Sequence, residues 1–135
     1  MAQACARALQ ESLDALHREV ERSGENALSA VASAYLSPAH RDRLGEGCAL
    51  AALGAEVARR GSPVRGAFSR GVRSVADALT RLVPGKSKRQ KRERALAIYA
   101  SMVGAMVLAR AVDDAELSEE VLQAVLASIA QPNEP

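Results

Sequence analysis

The run from Ala95 to Ala109, ALAIYASMVGAMVLA, carries no charge, and wound as a helix it leaves no polar face for water to cover. Such a helix must be buried all round. It is shorter than the roughly 20 apolar residues a bilayer crossing needs, and Arg110 and the Asp113-Asp114 pair close it off. A chain of 135 residues holds one core. That is little with which to surround a helix completely, so the segment is a candidate dimer core. Ala97, Ser101, Gly104 and Leu108 share one of its faces, and small residues there admit a second helix closely. Packing within the subunit is the competing reading of the same stripe.

The remaining chain reads as helix throughout. Apolar residues make up 48% of it, mostly Ala, Leu and Val, and Tyr35, Phe68 and Tyr99 are the only aromatics. That composition favours helix over strand. Cys5, Leu9, Leu13, Leu16 and Val20 recur at spacings of three and four, predicting a first helix that stops near Ser23-Gly24. Leu28, Val31 and Tyr35 mark a second, ended by Ser37-Pro38, and Ala39 to Glu46 reads as a loop. A third opens near Gly47 and runs to Gly61, which suits a left-handed cap. Ser62-Pro63 then restarts the chain as cap and first helical residue. Val64, Phe68, Val72, Val75, Leu79 and Leu82 give the fourth helix, closed by Val83-Pro84-Gly85. The fifth begins after Ser87 and becomes the uncharged run. The sixth has Ser118 as its cap, Glu119 and Glu120 in its first turn, and Leu117 placed to staple onto Leu122. The expected architecture is all-α, a six-helix bundle over residues 1–131, with 132–135 a frayed tail.

Charge and motif content narrow the function classes. No Gly-rich phosphate loop, HExxH pair, nucleophile elbow or repeat occurs. Cys5 and Cys48 have no metal or disulfide spacing, and reduced thiols fit a cytoplasmic setting. An apolar signal region is absent at the start, where Arg7, Gln10 and Glu11 interrupt. His17 sits opposite the stripe of its helix and reads as solvated; His40 reads as a structural hydrogen-bonding residue. Neither has converging partners for catalysis, so the chain reads as a non-enzyme without cofactor or metal. Residues 59–94 hold twelve basic side chains against Asp77 and Glu93, a local net of +10 in a chain whose net charge is +2. Lys86 to Arg94 is the densest part, but no aromatic interleaves with it, and it reads as a solvated turn and helix start rather than a nucleic-acid reader.

Two blocks of residues carry a resemblance. Ser101-Met102-Val103-Gly104-Ala105, Leu108-Ala109-Arg110-Ala111-Val112 and Leu117-Ser118-Glu119-Glu120-Val121-Leu122 form one. Tyr35-Leu36-Ser37, His40-Arg41-Asp42, Gly47-Cys48, Leu50 to Leu53 and Glu56-Val57-Ala58-Arg59 form the other, at the matching distance upstream. Together they resemble the C-terminal domain of a subgroup of TetR-family transcriptional regulators. Members carry an N-terminal helix-turn-helix domain of roughly fifty residues, to which nothing here corresponds.

The resemblance implies an effector-binding and dimerising domain. On composition alone Phe68, Tyr99, Met102 and Met106 read as core filling; the resemblance implies a ligand cavity between the helices, lined by Leu16, Leu53, Phe68, Val72, Tyr99 and Met102, with Cys48 at its mouth. The expected ligand is a small apolar or amphipathic effector. The expected assembly is a homodimer through the fifth and sixth helices, with Ala97, Ser101, Gly104, Leu108, Val121, Val125 and Ile129 near the axis. Neither specific DNA binding by this chain alone nor a membrane partner is expected. The rival reading is a helical interaction protein that dimerises or pairs with a partner and binds no small molecule.

Overall fold

The computed structural model describes residues 2–43 and 54–130. Six α-helices and no strand occur among them: α1 Ala2–Ser23, α2 Ala27–Tyr35, α3 Pro38–Asp42, α4 Ser62–Thr80, α5 Lys88–Ala111 and α6 Ala115–Ala130. Residues 54–57 add a helical turn. The all-α expectation therefore stands. Most of the expected third helix, with Cys48 and Leu53, lies outside the described residues, as does the tail 132–135.

The helices close around one core. α1 packs on α2 and α4, α5 on α4 and α6, and α2 reaches α6. The α1 stripe turns inward as its spacing requires, with Cys5, Leu9 and Leu16 buried and Leu13 and Val20 packed at the edge. Gly24, at φ +55°, ends α1 in the left-handed conformation that glycine adopts without strain. α1 and α4 meet closely at Gly71, where an added Cβ would lie 2.8 Å from Leu9 Cβ and 2.5 Å from Cδ1. Gly71→Ala should gain roughly 1 kcal/mol in helix propensity and lose about 1–3 kcal/mol to overpacking. A net fall in the urea midpoint is the expected result.

Several helix boundaries differ from the sequence expectation. Residues 39–42, expected in a loop, belong to α3, because Ser37 is extended and accepts from His40 N at 3.1 Å while Pro38 supplies the fixed φ of a first turn. Ser37 Oγ also donates to Ala34 O at 2.8 Å, tying the start of α3 to the end of α2. Gly61 lies at φ −77° and caps α4 in an extended conformation, so it is not left-handed and Ser62 is already helical. α5 begins after Ser87 as expected, and Ser87 proves to be its cap, accepting from Gln90 N at 3.2 Å.

The start of α6 moves upstream. Asp114 Oδ1 accepts from Glu116 N at 3.0 Å and Leu117 N at 3.2 Å, so the cap is Asp114 and not Ser118. Leu117 consequently sits inside the first turn, exposed, and not at the stapling position before a cap. Ser118 is buried instead and donates to Ala109 O at 2.7 Å.

Helix α5 is not buried all round. Ala95, Ile98, Tyr99, Met102, Ala105, Met106 and Ala109 face the core, while Leu96 (41%), Val107 (42%) and Leu108 (55%) are exposed. By length and composition α5 could cross a membrane. Its neighbours argue against that: α1 and α4 are amphipathic, with charged outer residues such as Glu11, Arg18, Arg70 and Arg73 that hydrocarbon would not accept.

Candidate functional site

Three features of α5 and its neighbours stand out. The first is the exposed face just described. Ala97, Ala100, Ser101, Gly104, Leu108 and Ala111 lie along it at helical spacing, and an added Cβ at Gly104 would meet nothing within 4 Å. Of the α6 residues expected beside it, Val121 and Val125 are partly buried against the core. Ile129 turns into the core at 6% exposure, which removes it from the outer face: it lies on the buried side with Leu122, one helical step of seven away.

The second feature is a groove of about 400 Å³ between α4 and α5, lined by Phe68, Ser69, Val72, Arg73 and Ala76 from α4 and Arg92 and Leu96 from α5. Phe68 and Val72 recur at i and i+4, so they sit one above the other on the same face of α4. The turn at 54–57 lies alongside, with an added Cβ at Gly54 falling 3.9 Å from Phe68 Cζ. The described residues expected to line a ligand cavity all belong to one hydrophobic cluster, in which Leu16, Tyr99 and Met102 are buried and Phe68 and Val72 are partly open. Sequence reasoning missed Arg73, Arg92 and Leu96. Arg92 pairs with Asp77 across the two helices, and no helical periodicity within α4 or α5 announces that crossing.

The third is a polar clamp joining α3 to the α5–α6 corner. Arg41 Nη1 donates to Ser118 Oγ at 3.1 Å and lies 3.7 Å from Glu119. Arg110 donates to His40 O at 2.9 Å and to Arg41 O at 3.1 Å, satisfying carbonyls at the end of α3. The His40 ring, buried against Tyr35 with centroids 4.6 Å apart, donates from Nδ1 to Tyr35 O at 2.7 Å. This is the structural role expected of His40; His17 is exposed, also as expected. No cluster of His, Cys, Asp and Glu able to hold a metal occurs among the described residues.

The clamp has a consequence for pH. Burial, aided by the nearby Arg110 and Arg43 charges and opposed by the hydrogen bond to Tyr35, holds His40 below its ordinary value of 6.5. As pH falls, the unfolded chain takes up this proton before the native chain does. The contribution is therefore complete above about pH 6.5 and is lost as pH drops through the native value. Urea midpoints measured between pH 7.5 and 5 should fall less steeply for His40→Gln than for the unaltered chain.

A search among curated proteins finds no match for this chain. Residues 24–125 match the family described as tetracyclin repressor-like, C-terminal domain. That span begins at the α1–α2 junction and covers the clamp, the groove and most of the exposed α5–α6 face; the chain belongs to the TetR-like C-terminal domain family.

Proposed function

We propose that this domain is the effector-sensing and dimerising part of a transcriptional regulator, and that it pairs two-fold through the outer faces of α5 and α6. The observation that carries this reading is the exposed α5 face, which sets Leu108 at 55% exposure beside the open Gly104 on a helix whose opposite face is buried in the core. Contiguous exposed apolar surface of this kind marks an interaction site. A self-complementary helix face meets its own copy across a two-fold axis.

The ligand reading rests on the same helix. Tyr99 and Met102 point from α5 into the core that Phe68 and Val72 border, while Ala97, Ser101, Gly104 and Leu108 point outward. A small apolar or amphipathic molecule wedged between α4 and α5 would displace a helix that also forms the dimer contact. Ligand and partner would then be coupled through one rigid element, and by linkage each would alter the other's affinity by the same factor. Native mass spectrometry of the purified protein tests both parts together, reporting subunit number and any retained ligand. A monomer at micromolar concentration would overturn the pairing.

One observation favours the alternative of an interaction protein without a ligand. Leu16, Tyr99 and Met102 are exposed by only 8%, 6% and 2%, as in a filled core. A thermal-shift screen of apolar and aromatic compounds separates the readings, with Phe68→Ala and Tyr99→Phe as controls. A ligand that binds only the folded state raises the melting temperature by mass action. Absence of any stabilising compound would leave dimerisation as the function.

A further inference from the structure

We infer that the groove between α4 and α5 selects an amphipathic anion: an apolar carboxylate whose head lies between Arg73 and Arg92 and whose tail lies over Phe68, Val72 and Leu96. This rests on the ligand-binding reading of the groove and adds the chemistry of the head group. The apolar floor formed by Phe68, Val72 and Ala76 spans nine residues of α4, about 12 Å along the helix axis. That length suits a medium acyl chain or a ring on a short arm. Among the described residues its polar lining is the guanidinium groups of Arg73 and Arg92 and the Ser69 hydroxyl. Guanidinium groups only donate, and their fork matches the two oxygens of a carboxylate.

The surrounding charge points the same way. Residues 59–94 contain only two acids, and each is already engaged, Asp77 by Arg92 and Glu93 by Arg89. None of the ion pairs among the described residues includes Arg73, which is exposed at the groove. The stretch 59–94, which supplies both arginines of the groove, carries a net of +10, and a field of that sign attracts anions and repels cations. Arg92 is itself engaged by Asp77 across the two helices. A ligand carboxylate would share Arg92 with it and take Arg73 alone.

The test titrates the full chain with octanoate, octanol, octylamine and acetate at fixed ionic strength near 0.15 M, followed by heteronuclear NMR shifts. Octanoate should bind at least about tenfold more tightly than octanol, the size of a charge-assisted hydrogen bond, and octylamine should not bind. Arg73→Gln should erase the preference, Arg73→Lys should restore part of it, and Phe68→Ala should weaken octanoate and octanol alike. If octanol equals octanoate and both depend on Phe68, the groove is a ligand site without anion selectivity: the proposal falls and the ligand reading survives. If acetate equals octanoate, the groove is only a basic surface, and again the proposal falls. Absence of octanoate binding, or binding indifferent to Arg73→Gln, overturns it as well.

Discussion

Gly104→Arg should leave the chain folded and turn a dimer into monomers. An added Cβ at this position meets nothing within 4 Å, and replacing a mid-helix glycine gains roughly 0.8 kcal/mol in helix propensity. Nothing inside the subunit opposes the change. Between subunits the effect is the reverse, because a two-fold axis near Gly104 would bring two guanidinium groups together in a desolvated contact. An unpaired buried charge costs about 3–5 kcal/mol, which corresponds to a dissociation constant raised by about two to nearly four orders of magnitude. Light scattering across micromolar concentrations reads the subunit number, and circular dichroism confirms retained helix. A dimer that survives the substitution would place the interface elsewhere than the outer face of α5.

The parts of this structure that were legible from sequence depend on neighbours three or four residues away. The α1 stripe and the start of α5 after Ser87 are of this kind, since apolar spacing decides the one and a hydroxyl three residues before the Gln90 N–H decides the other. The parts that were not legible depend on distant residues. Ser118 and Asp114 are both good capping residues, and the choice between them is made by Arg41, seventy-seven residues before Ser118 in the chain, and by the Ala109 carbonyl. The inward turn of Ile129 follows from α6 packing on both α5 and α2. In the groove, Phe68 and Val72 could be found from apolar periodicity, but Arg73 and Arg92 sit in a basic stretch that looks solvated until α4 and α5 cross. The uncharged run of α5 was informative in a different way. Its second apolar face, unused within the chain, is the feature that the dimer proposal explains.

Leu122→Ala and Leu108→Ala remove the same atoms from opposite sides of the α5–α6 pair, and they should act on different equilibria. Leu122 is 1% exposed and belongs to the central cluster, where α6 packs against α5 and α2. Truncating it removes the transfer free energy of the side chain and leaves a cavity, together about 2–5 kcal/mol. Set against a total stability of about 5–15 kcal/mol for a domain, this is the largest single loss expected here, and the melting temperature should fall on the order of 10 °C. Leu108, at 55% exposure, contributes little inside the subunit, so its truncation should change monomer stability by no more than about 0.5 kcal/mol. Its effect should appear only where the chain is dimeric, because association stabilises the folded state by mass action. Denaturation at several protein concentrations separates the two. Leu122→Ala should lower the midpoint at every concentration, and Leu108→Ala should lower it only at high concentration, converging with the unaltered chain on dilution. Equal loss at all concentrations for Leu108→Ala would mean that this face packs within the chain, and the pairing through α5 would have to be abandoned.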